Sequence, residues 1–136
     1  MASSHFEWKE EYTVNVKIID EQHKKLISII DELYQSILQK MDKNILAELF
    51  KQLNDYSKYH FGTEEKYFQE FNYPDAFAHI AVHEKFKKDI VEMEDKMNTD
   101  HFNPFELLVY LENWWINHIL DVDKRYSQNF NEHGLK

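Results

Sequence analysis

Residues 76–97 read AFAHIAVHEKFKKDIVEMEDKM. Ala76, His79, His83, Phe86, Ile90, Met93 and Met97 recur at spacings of three and four, which mark one face of an α-helix. Lysine and acidic residues fill the opposite face. The inward stripe is oily at one end and carries two imidazoles at the other. A helix of this kind belongs in a core that holds polar groups on purpose.

Three other segments repeat the design. The first stripe runs His23, Leu26, Ile30, Leu33 and Ile37, with Asp20 as a candidate N-cap. The second runs Leu46, Leu49, Leu53, Tyr56, His60, Glu64, Tyr67 and Phe71, and ends where Tyr73-Pro74 breaks the chain. The fourth runs Leu107, Leu111, Trp114 and His118 behind Asn103-Pro104, an N-cap followed by proline at the first helical position. The expected helices span about 20–40, 43–71, 75–97 and 104–126, and residues 127–136 form a tail. Short connections make successive helices antiparallel neighbours, so the expected fold is all-α, an up-down-up-down four-helix bundle. Residues 1–18 alternate Phe6, Trp8, Tyr12, Val14, Val16 and Ile18 with polar neighbours. This predicts an extended arm, laid on the bundle as a strand-like strap or as an isolated edge strand.

The bulk composition agrees. The 136 residues suit one domain. Only 2 Gly and 2 Pro are present, so turn chemistry is sparse and long helices are favoured. The net charge of −9 and the absence of a basic stripe argue against a nucleic-acid surface. No cysteine is present, which excludes disulfides, thiolate zinc sites and iron–sulfur clusters and fits a reducing cytoplasm. Neither a secretory signal nor an apolar run of membrane-spanning length is evident, so no membrane insertion is expected.

Seven polar groups fall on the core faces: His23, His60, Glu64, His79, His83, His118 and Asp123. In an antiparallel bundle the starts of the first and third helices meet the ends of the second and fourth, so all seven converge at one level. A single histidine on an apolar stripe is commonly a satisfied core residue. Seven such groups without partners would each cost several kcal/mol, roughly, against a net stability of about 5–15 kcal/mol. A metal centre accounts for them at least cost. His60 with Glu64, and His79 with His83, are four apart and share a helix face. His118 and Asp123 are five apart and do not; by simple geometry Asp121 fits better. The spacing therefore predicts a local i→i+5 distortion, a π-bulge, that turns Asp123 inward.

Imidazole and carboxylate ligands suit iron, manganese, zinc or copper, and seven ligands favour two ions over one. Two six-coordinate ions with five imidazoles, two bridging carboxylates and one bridging oxide or hydroxide have one position left over. Such a centre takes a single small ligand, and iron is the metal of choice for oxygen chemistry. His5, His101 and His133 lie on no core stripe and are not expected to ligate.

The segments Ile19-Asp20-Glu21-Gln22-His23, His60-Phe61-Gly62-Thr63-Glu64-Glu65, His79-Ile80-Ala81-Val82-His83 and Trp114 through His118-Ile119 to Asp123 resemble the hemerythrin family, in particular its single-domain bacterial members. Phe6-Glu7-Trp8 is similar to that family's arm. The resemblance implies one iron held by His79, His83 and His118, and a second held by His23 and His60 with a vacant position. Glu64, Asp123 and an oxo or hydroxo group would bridge the pair. It implies reversible dioxygen binding for carriage, storage or delivery, with nitric oxide or azide-like anions as further ligands and an unnamed recipient protein. Leu26, Phe61, Phe86, Trp114, Trp115 and Ile119 are the candidate walls of the ligand pocket; for any one of them plain core packing is an equally good reading.

Two positions depart from the family pattern. Trp115 stands where a smaller aliphatic is expected; pointing inward it tightens the pocket, and pointing outward it only adds surface. Asn15 stands where glycine is common. Rival readings are a di-iron oxidase, peroxidase or nitric-oxide reductase, a sensor of oxygen, nitric oxide or redox state acting through a separate partner, and an iron store. An enzyme is not expected, because no polar substrate-binding set accompanies the ligands.

Overall fold

A computed structural model describes residues 7–39, 42–97, 99 and 102–136. Four helices run up, down, up and down: α1 Lys17–Leu38, α2 Lys43–Glu70, α3 Ala76–Lys96 and α4 Pro104–Trp114. Helix α4 continues as a π-helix, Trp115–Val122, a 3₁₀ turn, Asp123–Tyr126, and a short helix α5, Ser127–Glu132. Helix α1 packs on α2 and α4, and α2 packs on α3. No strand occurs among the described residues, and no helix of theirs is long and apolar enough to cross a membrane.

Local chemistry accounts for most helix ends. The Asp42 carboxylate accepts the Ile45 N–H at 2.9 Å, and the Asn103 side chain accepts the Phe105 N–H at 3.0 Å ahead of Pro104. Helix α2 ends at Glu70; just beyond it Asn72 takes the left-handed conformation with φ 51°, and the Tyr73 N–H reaches back to the Phe68 carbonyl at 3.0 Å.

Helix α1 corrects the expected boundary. It starts at Lys17, three residues before the candidate cap Asp20. The Asp20 carboxylate instead reaches backwards, accepting from the Val14 N–H at 2.9 Å and from the Thr13 hydroxyl. Between them Asn15 sits at φ 60°, a conformation asparagine tolerates better than other side-chain-bearing residues and glycine adopts freely. That is the physical reason a glycine would serve at position 15.

The arm is a strap but not a strand. Glu10–Tyr12 form one 3₁₀ turn, and Val14 and Val16 are buried. Phe6 lies outside the described residues. The strap is tied to the end of the bundle by three bonds: the Lys124 ammonium to the Glu11 carbonyl at 2.7 Å, the Ser127 hydroxyl to the Val14 carbonyl at 2.6 Å, and the Asn131 amide to the Asn15 carbonyl at 3.0 Å. The expected tail is thus partly a helix, α5, which buries Phe130 beside Tyr126.

Two apolar clusters result. The larger fills the bundle from Leu33, Leu49 and Leu107 up to Phe61, Phe86, Trp115 and Ile119. The smaller joins Val14, Val16 and Ile19 to Phe68, Tyr73, Tyr126 and Phe130. Phe61 of the larger cluster stacks on His83, and Phe68 of the smaller one packs on His79, so the seven polar groups lie between the two.

Candidate metal centre

All seven sequence-predicted groups meet in this layer, and each is at most 4% exposed. His23 comes from α1, His60 and Glu64 from α2, His79 and His83 from α3, and His118 and Asp123 from the distorted end of α4. The π-helix is the device that admits Asp123: its N–H bonds to the carbonyl of His118, five residues back. The extra residue in the turn rotates Asp123 into the core and leaves Asp121 exposed, where it pairs with Arg125 at 3.2 Å.

Asp123 divides its oxygens between two sets of histidines. Oδ1 lies 2.9 Å from Nε2 of both His79 and His118, whereas Oδ2 lies 3.1 Å from Nε2 of His23 and 3.9 Å from that of His60. Glu64 enters from α2. Its Oε1 is 3.1 Å from His60 Nε2 and 3.3 Å from His83 Nε2, and its Oε2 is 3.9 Å from His79 Nε2. Two clusters with metal-ligand spacing follow, one of His79, His83, His118 and Asp123, the other of His23, His60 and Asp123.

The donor set fits metal ions better than it fits itself. Nε2 of His60, His79, His83 and His118, both oxygens of Glu64 and Oδ1 of Asp123 are buried without a hydrogen-bond partner, although they crowd within a few ångströms of one another. Lone pairs so placed converge on shared points, which is the arrangement cations require. The far side of two rings is pinned. His60 Nδ1–H donates to Gln22 Oε1 at 2.6 Å, and Gln22 in turn donates its amide to the Thr63 hydroxyl at 3.0 Å. His83 Nδ1–H donates to the Glu65 carboxylate at 2.9 Å. With the proton held on Nδ1, each Nε2 is left as a free lone pair facing the centre.

Without metal the cluster holds itself together with protons. Burial pulls His60 down, but Glu64 and Asp123 outweigh it and raise the imidazole to about 9. His79 is raised by the same carboxylates against its own burial. His23 goes the other way, lowered by burial in spite of Asp123. Burial opposes ionisation of Glu64 and Asp123, yet the surrounding imidazoles hold both well below the usual carboxylate range. A pair of cations would take the place of those protons.

The candidate wall residues divide between the two sets. The Phe61 ring stacks on His83 at 3.9 Å, and Phe86 packs against Phe61 and Trp114. Trp114 is half-buried and stacks on His118 at 4.0 Å, so it covers the three-histidine side. Trp115 points inward, fully buried, its ring centre 5.8 Å from that of His23 with the planes nearly perpendicular; Leu26 and Ile119 are fully buried as well. His133 lies apart with its ring on Phe71, and His5 and His101 are outside the described residues.

Sequence reasoning missed four contributors. Gln22 and Glu65 adjoin candidate ligands in the chain but serve His60 and His83 on neighbouring helices; their polarity at the edge of a core stripe is the available signal. Tyr56 stacks on His60 at 5.2 Å, and Tyr126 sits beside His79 at 5.8 Å. Both phenols are buried, and burial together with Glu64 and Asp123 pushes each far above the usual tyrosine range. Tyr56 looked like one more apolar step of its stripe.

Comparisons with known proteins point to one family. The family described as Hemerythrin HHE cation binding domain matches residues 14–128. A bacteriohemerythrin of Stenotrophomonas maltophilia is 29% identical over 126 residues, spanning 93% of this chain and 82% of that protein. A bacteriohemerythrin of Clostridium acetobutylicum is 29% identical over 129 residues, spanning 89% and 98%. A crystal structure of wild-type hemerythrin superposes with a TM-score of 0.83 at 26% identity, covering 92% of this chain and 97% of that one.

Proposed function

The chain belongs to the hemerythrin family, and on that footing we propose that it binds dioxygen reversibly at a non-haem di-iron centre, for carriage, storage or delivery, and is not an enzyme. In this reading His79, His83 and His118 hold one iron and His23 and His60 hold the other. Glu64 and Asp123 would be the carboxylates shared between the two.

The observation that carries the reading is Asp123, whose two oxygens face the three-histidine and two-histidine sets respectively. A reduced iron pair supplies the two electrons that dioxygen draws on when it binds and returns when it leaves. The protein's own part is to hold and to exclude. Gln22 and Glu65 fix the imidazole tautomers. Phe61, Trp115, Leu26 and Ile119, all fully buried, keep bulk water and its protons from the centre, which favours release of the gas over its irreversible reduction.

The test is a cycle. Protein reduced without air, then exposed to air, should develop a visible charge-transfer band that fades under vacuum and returns through many cycles, with two irons per chain by metal analysis. Rapid decay with release of hydrogen peroxide, or a single zinc per chain, contradicts the reading.

A further inference from the structure

Tyr56 carries a hydroxyl that its surroundings do not use. The residue is 5% exposed and its oxygen is buried without a hydrogen-bond partner. A buried hydroxyl left unpaired is destabilising, and a phenylalanine of the same shape avoids that cost. If position 56 served packing alone, the oxygen would be pure cost.

Its placement suggests a use. The Tyr56 ring stacks on His60 at 5.2 Å with only 18° between the planes, one helical turn before it on α2. His60 belongs to the two-histidine set, which has one ligand group fewer than the set around His118. The Tyr56 hydroxyl bonds to neither Asp123 nor Glu64, so its donor is not taken up by the carboxylates. Trp115 stands on that side as well, its ring beside His23.

We propose that Tyr56 is a ligand-contacting residue, whose hydroxyl donates a hydrogen bond to the small anion or diatomic molecule seated beside His23 and His60. This rests on the di-iron reading above and adds to it a polar contact at the ligand. The consequence is selectivity: a ligand that carries negative charge on the atom facing Tyr56 gains from the contact, and a neutral apolar one does not.

Azide is the probe. The native di-iron(III) protein, titrated with sodium azide, should bind it, and the azide vibrational band should shift when the protein is exchanged into heavy water. Tyr56→Phe should keep two irons per chain and its helical signal, bind azide about tenfold more weakly and lose the deuterium shift. Tyr59→Phe, on the exposed side of α2, should change neither. If Tyr56→Phe does not retain iron, Tyr56→Met serves in its place with the same expectation. A native protein that binds azide with no deuterium shift overturns the proposal, as does a variant that holds two irons and matches the native affinity and shift. A native protein that holds no iron pair defeats the di-iron reading itself, and the iron analysis separates that failure from this one.

Discussion

Oδ1 of Asp123 lies 2.9 Å from Nε2 of His118, five residues back along the same π-helical segment. In a regular α-helix residues five apart diverge by roughly 140° and could not meet. The meeting depends on the wider turn, and such turns recur at functional sites because an inserted residue re-aims one side chain without unravelling the helix.

The two nearby acids therefore have opposite fates. Asp123→Asn should lower the metal held per chain from two ions to one or none, because it removes charge from the oxygen pair shared by both histidine sets. Asp121→Asn should leave metal content unchanged, since that side chain is 67% exposed and faces Arg125. Metal analysis after gel filtration decides the matter; equal loss in both variants would contradict the π-helical placement.

The supports behind the imidazoles make a second test. Gln22→Leu keeps the volume but removes the acceptor at His60 Nδ1, and Glu65→Leu does the same at His83. Each should weaken metal retention by roughly 10–100-fold in competition with a chelator. Glu65→Gln retains an acceptor oxygen and should recover most of the loss. A Leu variant as retentive as the native protein would show that the tautomers are fixed by something else.

Trp115 stands between the arm and the centre. Its ring meets Tyr12 at 5.2 Å on one side and His23 at 5.8 Å on the other, and Tyr12 in turn meets Trp8 at 5.8 Å. Trp115→Leu opens space beside His23. It should speed azide entry in stopped-flow mixing while lowering stability by about 2 kcal/mol in urea denaturation. Unchanged entry with lowered stability would make Trp115 a core residue only.

How far the chain announces all this varies with the kind of signal. The three-four spacing of Leu26, Ile30 and Leu33, or of Phe86 and Ile90, reports buried faces that the bundle uses as expected. The converging ligand blocks follow from antiparallel order alone. What misleads is local chemistry with two uses. Asp20 resembles an N-cap but caps the strap that precedes the helix. Trp114 continues the α-helical stripe of Leu107 and Leu111, yet the π-helix beginning at the next residue makes Trp115 the buried indole and leaves Trp114 half-exposed on His118. Helix α5 is hidden by its polar composition, with Phe130 as its one apolar residue. Gln22 and Glu65 act across helices, where one-dimensional spacing carries no information.

The metal-free protein should show a stability maximum in mildly acidic solution and lose stability on the alkaline side. His60 is raised to about 9 in the folded chain, from an ordinary value near 6.5 when unfolded. The folded state thus binds that proton more tightly. Its contribution is complete below about pH 6.5 and disappears as the pH rises through about 9, a loss of about 3 kcal/mol. His79, raised in the same direction, adds to the loss. On the acid side the signs reverse. Glu64 and Asp123 are held below their ordinary values, so their contribution is present above about pH 4 and fades as they take up protons. His23, lowered by burial, must stay neutral, so the fold also loses stability as the pH falls below the ordinary histidine range. Metal changes the alkaline limb, because cations replace the protons that His60 and His79 hold. Urea denaturation at pH 6, 7.5 and 9 should therefore show falling stability for the metal-free protein and a nearly flat response for the loaded one, which instead sheds metal below the histidine range as protons compete for the imidazoles. A metal-free protein as stable at pH 9 as at pH 6 would mean that the imidazoles and carboxylates are not held together by shared protons.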